Sequence, residues 1–349
     1  MTNDSAYPPR RRSLKDFAAT PVRVSTNELV RTSSLNGWHL PLVVEPAFDG
    51  VDFPAWIDAN RKVLREKVKI HGAALFRGFG VHSTEYFEKA VSGFSSQLME
   101  YTERSTPRIQ VGRYVYTSTE YPSDLAIPLH NENSYSHIWP AKIWFLCLQP
   151  ATAGGETPIA DSRKILKLLD LQIVRRFVEK RIMYVRNFRT GLGIPWQEAF
   201  QTADRAAVEQ YCRHSGIEFE WLKPDHLRTR QVRPAVMQHP ETGEFVWFNQ
   251  AHLFHISSLG EKVRESMQAV YREDELPRAA YFGDGSAIEP EMIEAINEAF
   301  QEATVLFPWK QGDLLLLDNI LCAHGRQPYA GERKIMVLMS EPSSQYLAA

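Results

Sequence analysis

The chain has 349 residues, of which 44% are hydrophobic and 23% are charged, so it can bury a large core as one domain or two. Its 40 basic and 42 acidic residues give a formal net charge of −2 at pH 7. This balance provides no broad positive surface for nucleic acid or an anionic membrane, and we expect neither as a partner.

The N-terminal segment predicts a polar arm. Residues 1–35 lack periodicity, and Arg10–Arg12 form a charge run typical of a solvated surface. The start carries no apolar core of a secretory signal, and no apolar run in the chain approaches the roughly 20 residues of a membrane-spanning helix. Together with three widely separated cysteines, which predict buried thiols in a reducing compartment, this indicates a cytoplasmic protein.

The first part of the chain predicts helices around one strand, followed by further strands. Apolar residues recur at helical intervals from Phe53 to His71, and the run AALFRGFG predicts a buried strand entering a glycine-containing loop. Residues 84–99 are predicted to be helical. Within residues 108–149, RIQVGRYVYTST alternates as a strand does, and KIWFLCLQ is a continuous apolar strand.

The second part mixes helices and strands. A largely helical insertion is predicted at about residues 160–230, and VRPAVMQHPETGEFVWFNQAHLF predicts a hairpin with Pro240–Gly243 as its turn. Near the C-terminus DLLLLDNILCAHG and RKIMVLMSEP predict two apolar strands. Helices are predicted at residues 162–182, 196–215, 260–274 and 289–302.

This order of elements predicts the fold class. Strands flank helices without the regular alternation of a parallel α/β sheet, and no G-x-G-x-x-G or G-x-x-x-x-G-K-[ST] motif supports a nucleotide-binding fold. We therefore predict a mostly β fold with helices, in which a jelly-roll or sandwich core carries a helical insertion and flanking helices. Residues 36–349 are expected to form this single domain.

His130 and Glu132, in PLHNENSY, are the first candidate metal ligands. Side chains alternate across a strand, so residues two apart point to one face and can meet one ion. With a remote third ligand they would form a two-histidine-one-carboxylate site, which leaves coordination positions open as non-haem iron oxygenases need. With 11 histidines and 42 acidic residues a His-x-acid match also arises by chance, and a hydrogen-bonded strand rim is the alternative.

A second match of this kind is rejected. His239-Pro240-Glu241 contains a proline and is followed by Thr-Gly, which indicates a turn, and proline does not suit an inner strand.

His324 and Arg333 supply the remote half of the predicted site. His324 ends the run DLLLLDNILCA, and Arg333 opens the next strand, RKIMVLM, nine positions later. A guanidinium at that place can hold a carboxylate through two parallel hydrogen bonds. Taken singly, His324 could be a buried structural histidine and Arg333 a solvated rim charge. Their occurrence together with the His130 pair favours a metal site with a carboxylate anchor.

These segments resemble the TauD/TfdA branch of the 2-oxoglutarate-dependent dioxygenases, in the clavaminate-synthase-like superfamily. They are most similar to its syringomycin-pathway aspartyl hydroxylase group. The matching segments, from about residue 125 to 340, are LHNENSY, KIWFLCLQPATAGGETPIADSR, RTRQVRPAV, VWFNQAHLFH and LLLLDNILCAHGRQPYAGERKI.

The resemblance implies a double-stranded β-helix with Fe(II) bound by His130, Glu132 and His324, and with 2-oxoglutarate and O₂ as cosubstrates. It implies that Arg333 binds the distal carboxylate of 2-oxoglutarate. Thr157 falls where taurine dioxygenase has a threonine that touches this cosubstrate, although an ordinary strand threonine is the alternative.

Three positions refine what the resemblance implies. Glu132 stands where taurine dioxygenase has an aspartate, and because related halogenases vacate this position for chloride, chlorination is disfavoured. Val337 stands where taurine dioxygenase has the arginine used on the sulfonate, so a sulfonate substrate is disfavoured. Arg326 matches the group and is interpreted as structural, for instance through an ion pair that supports the site.

The implied substrate is an amino acid or amino-acid derivative of natural-product biosynthesis. One form is the β-carbon of an aspartyl group held as a thioester on a peptidyl carrier protein, and a free amino acid is the other. Hydroxylation is expected, with desaturation or cyclisation open. Asn249 is in a segment that lines the substrate pocket of such enzymes, although a turn asparagine is an alternative. Candidate anchors for a substrate carboxylate, each equally compatible with a structural role, are Arg104, Arg113 and Arg186.

Two readings from other classes stay open at this point. A cupin-like protein that binds a small molecule without oxidising it would explain the barrel and its histidines, and zinc on the same ligands would give a hydrolase. Neither requires Arg333. The sequence does not predict an oligomeric state.

Overall fold

The computed structural model describes most of the chain, and Arg10–Arg12 and most of the predicted arm lie outside the described part. Within the predicted arm, Val30–Leu35 forms a strand at the edge of a sheet. The described residues are 28–35, 37–101, 108–119, 121–189, 191, 193–223 and 225–344.

Strands dominate the described residues, and the helices lie between them in the chain. The strands are β1 (Val30–Leu35), β2 (Trp38–Pro46), β3 (Ala73–Phe76), β4 (Leu98–Met99), β5 (Val115–Thr117), β6 (Ile127–His130), β7 (Trp139–Gln149), β8 (Ala153–Gly154), β9 (Ile159–Asp161), β10 (Ile182–Phe188), β11 (Glu218–Lys223), β12 (His226–Arg233), β13 (Val236–Gln238), β14 (Phe245–Trp247), β15 (Arg278–Phe282), β16 (Thr304–Val305), β17 (Leu314–Asp318), β18 (Cys322–Arg326), β19 (Tyr329–Ala330) and β20 (Lys334–Ser343). The helices are α1 (Phe53–His71), α2 (Thr84–Phe94), α3 (Ser162–Leu168), α4 (Leu171–Lys180), α5 (Trp196–Ala199), α6 (Arg205–His214), α7 (Ala251–Phe254), α8 (Glu261–Val270) and α9 (Pro290–Ala303), with short 3₁₀ turns at Ile256–Ser258 and Glu273–Glu275.

The largest sheet has the order β1-β2-β3-β17-β7-β20-β4, with β5 pairing to β20. Its central strands are buried on both faces, which explains why β7 and β17 are continuous apolar runs. Leu314 and Leu316 pack with residues of α1 and α2 on the outer face, whereas Leu315 and Leu317 point to the inner face.

A smaller sheet, β16-β9-β18-β6, lies against the inner face. Ile159 and Cys322 from this sheet pack with Phe145 and Leu317 of the large sheet in one buried apolar cluster. Two sheets that share an interior form the sandwich of a jelly roll, so the predicted mostly β fold with helices is confirmed. The ends of β6 and β18 bring the candidate metal ligands to this interior.

Helix α1 has the bounds that its apolar periodicity predicts. It begins where the Asp52 side chain accepts a hydrogen bond from the N–H of Ala55 (3.2 Å), with Pro54 in the first turn. It ends at Gly72, whose φ of 76° suits glycine and whose N–H bonds the carbonyl of Val68. The helix thereby covers the outer face of the large sheet.

Two predicted elements are shorter than expected. The helix predicted at residues 84–99 ends at Phe94, because the chain becomes extended at Ser95 and continues into β4. Only Val115–Thr117 of the alternating run at 108–119 forms a named strand. The N–H groups of Val111 and Gly112 both turn back to the carbonyl of Val115, which interrupts the extended backbone.

The segment at residues 160–230 contains the predicted helices α3, α4, α5 and α6, and it also contains strands that the prediction of a largely helical insertion did not include. Its strands β10, β11 and β12 join β15 in a sheet of order β11-β12-β10-β15. Ile182 and Phe282 of this sheet pack with Ile296 and Phe300 of α9 in one cluster. The segment therefore forms a second layered unit beside the jelly roll.

Two smaller predictions also have an outcome. Cys147, Cys212 and Cys322 are free thiols in buried positions, as predicted. The hairpin of β13 and β14 turns at residues 240–243, also as predicted. Among the described residues, no helix is long and apolar enough to cross a membrane.

Candidate metal centre

His130 and His324 face each other across a pair of strands. They are opposite one another in the register of β6 with β18, and their ring centroids lie 4.6 Å apart. The ring of Phe145 lies 5.0 Å from that of His324 on the interior side. Strand pairing alone therefore brings two imidazoles from remote parts of the chain to one point.

Glu132 joins them from a turn rather than from a strand. Strand β6 ends at His130, and the turn that follows includes Asn133 at a φ of 56°. Strand alternation is therefore the wrong physical reason for the predicted pair, although the side chains do meet. Glu132 Oε2 lies 4.0 Å from Nε2 of His130 and 3.9 Å from Nε2 of His324.

The donor set suits a divalent transition metal. One ligand atom each from His130, Glu132 and His324 lies within 4.8 Å of the other two, and two imidazoles with one carboxylate form the facial set of non-haem iron sites. Nδ1 of His130 lies 2.9 Å from the carbonyl of Pro128, and a proton donated there leaves Nε2 as the free ligand atom. Burial lowers the pKa of both histidines, which favours the neutral, ligating imidazole.

Arg108 neutralises Glu132. Its Nη2 donates to Glu132 Oε2 at 2.7 Å, both side chains are buried, and the guanidinium lies over the ring of Tyr101 at 4.4 Å. Burial alone would raise the pKa of Glu132, but the charges of Arg108 and His130 hold it below its usual range. Sequence reasoning missed Arg108, because an arginine that opens an alternating run carries no motif of its own.

Asn319 fixes the backbone around Glu132. Its Oδ1 accepts from the N–H of Glu132 at 2.7 Å, and its Nδ2 donates to the carbonyls of Glu132 (2.9 Å) and Pro140 (2.8 Å). Its own carbonyl accepts from the side chain of Asn131 at 2.6 Å. The sequence signal was slight: Asn319 is part of a polar pair that interrupts an apolar run five residues before His324.

Asp318 in turn holds the loop of Asn319. It is fully buried and accepts from Lys142 Nζ at 2.9 Å, and its Oδ1 accepts from the N–H groups of Ile320 and Leu321. Burial would raise its pKa, but the charge of Lys142 and the hydrogen bond from His239 lower it far below its usual value. A buried, fully bonded carboxylate thus supports the strand end from which the site is built.

The second His-x-acid match has a different role, in agreement with its rejection. Nδ1 of His239 accepts from the N–H groups of Glu241 (3.2 Å) and Thr242 (3.0 Å), so its Nε2 donates to Asp318 at 3.2 Å. Glu241 pairs with Lys69 at 2.8 Å.

Arg333 lies just before β20 with its guanidinium turned towards the metal side. Nε donates to the carbonyl of Gly155 at 2.8 Å, and Nη1 and Nη2 reach the hydroxyls of Ser118 (3.3 Å) and Thr157 (3.5 Å). No carboxylate of the described residues forms an ion pair with it. Burial, reinforced by the nearby Arg326, lowers its pKa to about 10. A shielded cation with this arrangement fits an incoming carboxylate.

One cavity of about 380 Å³ connects this arginine to the histidines. Thr157 lines it and accepts from Trp309 Nε1 at 3.1 Å, so its hydroxyl hydrogen is free to point elsewhere. The side chains that line the cavity include His130, His324, Arg333, Ser118, Ile335 and Val337. Val337 contributes an apolar surface to this cavity.

Within the described part of the chain, Arg326 does not form the ion pair suggested by its position. Its guanidinium donates to the carbonyls of Tyr121 (3.0 Å), Pro122 (2.5 Å) and Leu125 (2.7 Å). It supports the segment that leads into β6, which is a structural role through backbone carbonyls instead of a carboxylate.

The three substrate candidates that the structure describes are not brought together. Asn249 is fully buried, with Nδ2 donating to the carbonyl of Ala235 and Oδ1 accepting from the N–H of Ala251, which is the turn alternative. Arg113 is exposed and lies over the ring of Tyr114, away from both cavities at the metal ligands.

The other two candidate arginines are Arg186 and Arg104. Arg186 is buried in β10 between the rings of Tyr135 and Phe188, at 5.4 and 4.5 Å. Arg104 lies outside the described residues.

A second cavity of about 570 Å³ opens beside the metal ligands His130 and Glu132. It includes Arg278, the first residue of β15, which sequence reasoning missed because a single arginine in LPRAAYF carries no pattern. The residues that line it include His130, Glu132, Thr119, Gln250, Leu253 and Arg278.

Comparison with known sequences agrees with this geometry. The family model described as taurine catabolism dioxygenase TauD, TfdA family matches residues 36–339. The dapdiamide synthesis protein DdaC of Enterobacter agglomerans is 45% identical over 281 residues, which cover 80% of this chain and 84% of the relative. The clavaminate synthase-like protein At3g21360 of Arabidopsis thaliana is 28% identical over 319 residues, 85% and 92% of the two chains.

Solved structures share the fold. The PvcB protein of Pseudomonas aeruginosa superposes with a TM-score of 0.54 at 16% identity, over 92% of this chain and 94% of that chain. A further PvcB structure, described as an Fe, alpha-ketoglutarate dependent oxygenase from an isonitrile synthetic pathway, has a TM-score of 0.52 at 16% identity, over the same shares of the two chains.

Proposed function

Because the chain belongs to the TauD/TfdA family of dioxygenases, we propose that it is an Fe(II)- and 2-oxoglutarate-dependent hydroxylase of an amino acid or amino-acid derivative in natural-product biosynthesis. One observation carries the proposal: His130, Glu132 and His324 converge, and the two histidines line a cavity that holds Arg333 without a carboxylate partner among the described residues. A metal site alone would need no such cation.

The three convergent side chains would hold the iron, which when bound supplies O₂ activation coupled to the oxidative decarboxylation of 2-oxoglutarate. The residues of the chain bind and orient the cosubstrate. Arg333 binds the distal carboxylate of 2-oxoglutarate, and the hydroxyls of Ser118 and Thr157 beside it fix the orientation. Apolar walls such as Ile335 exclude water from the bound cosubstrate.

Glu132 supports hydroxylation over chlorination. Its carboxylate points at the same place as both imidazoles and is kept ionised by Arg108, so the position that a halide would need is taken. Val337 stands where taurine dioxygenase has the arginine used on the sulfonate, which supports a substrate other than a sulfonate.

The name of the relative DdaC, a dapdiamide synthesis protein, supports a place in natural-product biosynthesis. The finer proposal is that the substrate is the β-carbon of an aspartyl group, held as a thioester on a peptidyl carrier protein. A free amino acid is the second form. The same proposal places the enzyme in the cytoplasm, where 2-oxoglutarate and reduced iron are available.

The reaction class is tested by spectroscopy and product analysis. Anaerobic addition of 2-oxoglutarate to the Fe(II) protein should give a weak visible charge-transfer band, and air should then produce succinate. Glu132→Ala should lose both. The control is Glu241→Ala, which alters the other His-x-acid match and should keep both.

Two outcomes would contradict the proposal. Full succinate production by Glu132→Ala would exclude the metal assignment. Absence of the band together with tight retention of zinc would indicate a hydrolase or a non-oxidative binding protein.

The substrate form is tested by mass spectrometry on matched free and carrier-loaded amino acids. Gain of one oxygen atom on carrier-loaded aspartate alone would support the carrier-bound form. Gain on free aspartate alone would support the other.

A further inference from the structure

Arg278 lies in the second cavity with an unbalanced charge. It is the first residue of β15 and lines the space of about 570 Å³ that His130 and Glu132 also line. The other cation in that space, Arg108, is neutralised by Glu132 at 2.7 Å. Within the described part of the chain, the guanidinium of Arg278 forms neither an ion pair nor a hydrogen bond, and it lies over the ring of Phe254 at 5.7 Å.

The surroundings of Arg278 increase the need for an anion. It stands opposite Arg186 in the register of β10 with β15, and directly opposed residues share one face of a sheet. The cavity leaves Arg278 in contact with solvent, yet desolvation by the surrounding protein lowers its pKa, and Arg186 lowers it further. The like charges of Arg186 and Arg278 on adjacent strands repel each other. A carboxylate bound to Arg278 in the cavity would offset that repulsion.

The remaining walls of the cavity suit a small polar molecule. Leu253 and Ile127 provide apolar contact, and Gln250 is fixed by donating to the carbonyl of Asn131 at 2.8 Å. A substrate held by this guanidinium would therefore lie beside the metal ligands that line the same cavity.

We propose that Arg278 is a specificity residue that anchors a carboxylate of the substrate, so that the substrate class is amino-acid derivatives that keep a free carboxylate beside the carbon to be oxidised. This inference rests on the proposed function, since it assigns the second cavity to the substrate. The guanidinium holds the carboxylate through two parallel hydrogen bonds.

The test compares carboxylates with amides of the same shape. The probes are aspartyl-pantetheine and asparaginyl-pantetheine thioesters, and free aspartate and asparagine. None carries a phosphate, so phosphate binding by the guanidinium cannot account for a difference. Binding to the Fe(II) protein with 2-oxoglutarate is measured by calorimetry without oxygen, and turnover is then measured in air. The variants are Arg278→Gln and Arg278→Lys, with the exposed Arg113→Gln as the matched control.

The expected result is selective. Arg278→Gln should weaken the preferred carboxylate probe by roughly 10- to 100-fold and leave its amide partner nearly unchanged, because a charged hydrogen bond is lost only with the former. Arg278→Lys should fall between the two, since it keeps the charge and loses the paired geometry. Arg113→Gln should resemble the wild type.

Three outcomes overturn the inference: equal weakening of acid and amide probes, no weakening of either, or a wild type that binds no acid more tightly than its amide. The charge-transfer band with 2-oxoglutarate separates this failure from that of the proposed function. A wild type that shows the band but no dependence on Arg278 contradicts the anchor alone, whereas a wild type without the band contradicts the proposed function.

Discussion

Replacing Asn319 with alanine should weaken iron binding through a residue that does not touch the metal. The side chain is the bridge between the strand end that precedes His324 and the turn that presents Glu132. Without it the Glu132 turn loses two of its backbone partners, and the carboxylate is no longer held against the two imidazoles.

The size of the effect follows from the bonds that are lost. The variant leaves a buried N–H and a carbonyl of Glu132, and the carbonyl of Pro140, without the partners they have at 2.7, 2.9 and 2.8 Å. Each buried unsatisfied group costs roughly 1–3 kcal/mol, and carbonyls tolerate the loss better than N–H groups. We expect a loss of about 3–5 kcal/mol in unfolding free energy and a 10- to 100-fold weaker Fe(II) affinity, as for other residues that orient metal ligands.

Two measurements are needed, the unfolding free energy from urea titration and the Fe(II) dissociation constant under anaerobic conditions. Asn60→Ala is the control, because Asn60 is also buried but donates only to the carbonyl of Trp56 within α1. It should cost about 1 kcal/mol and leave iron affinity unchanged. If Asn319→Ala is destabilised but binds iron as the wild type does, the positioning role is refuted.

Three further predictions concern separate parts of the molecule. Arg333→Gln should raise the KM for 2-oxoglutarate roughly 10- to 100-fold in steady-state assays without changing iron affinity, and an unchanged KM would contradict the anchor. Asp318→Asn should lose about 3–5 kcal/mol at pH 7, because a folded pKa below the unfolded value of about 3.9 stabilises the protein above that pH. The deficit should shrink as pH falls below about 4, and a constant deficit in urea titrations would refute the linkage. Gly325→Ala places a Cβ 2.5 Å from a backbone oxygen of the neighbouring strand and should lower the melting temperature. The control Gly260→Ala has open space around its Cβ and should not lower it. Equal melting temperatures of the two variants would contradict the clash.

Most of the fold prediction rested on the pattern of apolar residues. This pattern failed to predict a strand whose buried residues are charged. Helix α1 and strands β7 and β17 follow directly from their runs. Strand β12 does not, because HLRTRQVR carries three arginines and most of it falls in the segment predicted to be largely helical. In the structure Arg228 donates to Asn187 and Arg233 donates to the carbonyl of Ser215, so both guanidinium groups are buried with partners that only tertiary packing supplies.

The sequence predicted the site residues whose role follows from their residue type. It did not predict those whose role follows from their position in the folded protein. Histidine, glutamate and arginine at remote strand ends suggested a metal with a carboxylate anchor, and the side chains do converge. Asn319, Arg108 and Arg278 have roles that depend on a partner atom or on the lack of one. A sequence shows neither the presence nor the absence of a partner atom. The roles of these residues can therefore be recognised only in the folded structure.

The bridge from Asn319 to Glu132 joins residues 187 positions apart, and the two histidines span a similar stretch. Contacts of such sequence separation form late, since the chain must first close a long loop. The metal-binding turn is consequently incomplete until β18 has paired with β6, so high-affinity iron binding requires this long-range pairing. Iron retention by a refolded sample would then report that the two strands have paired, which a signal from helix α1 alone would not.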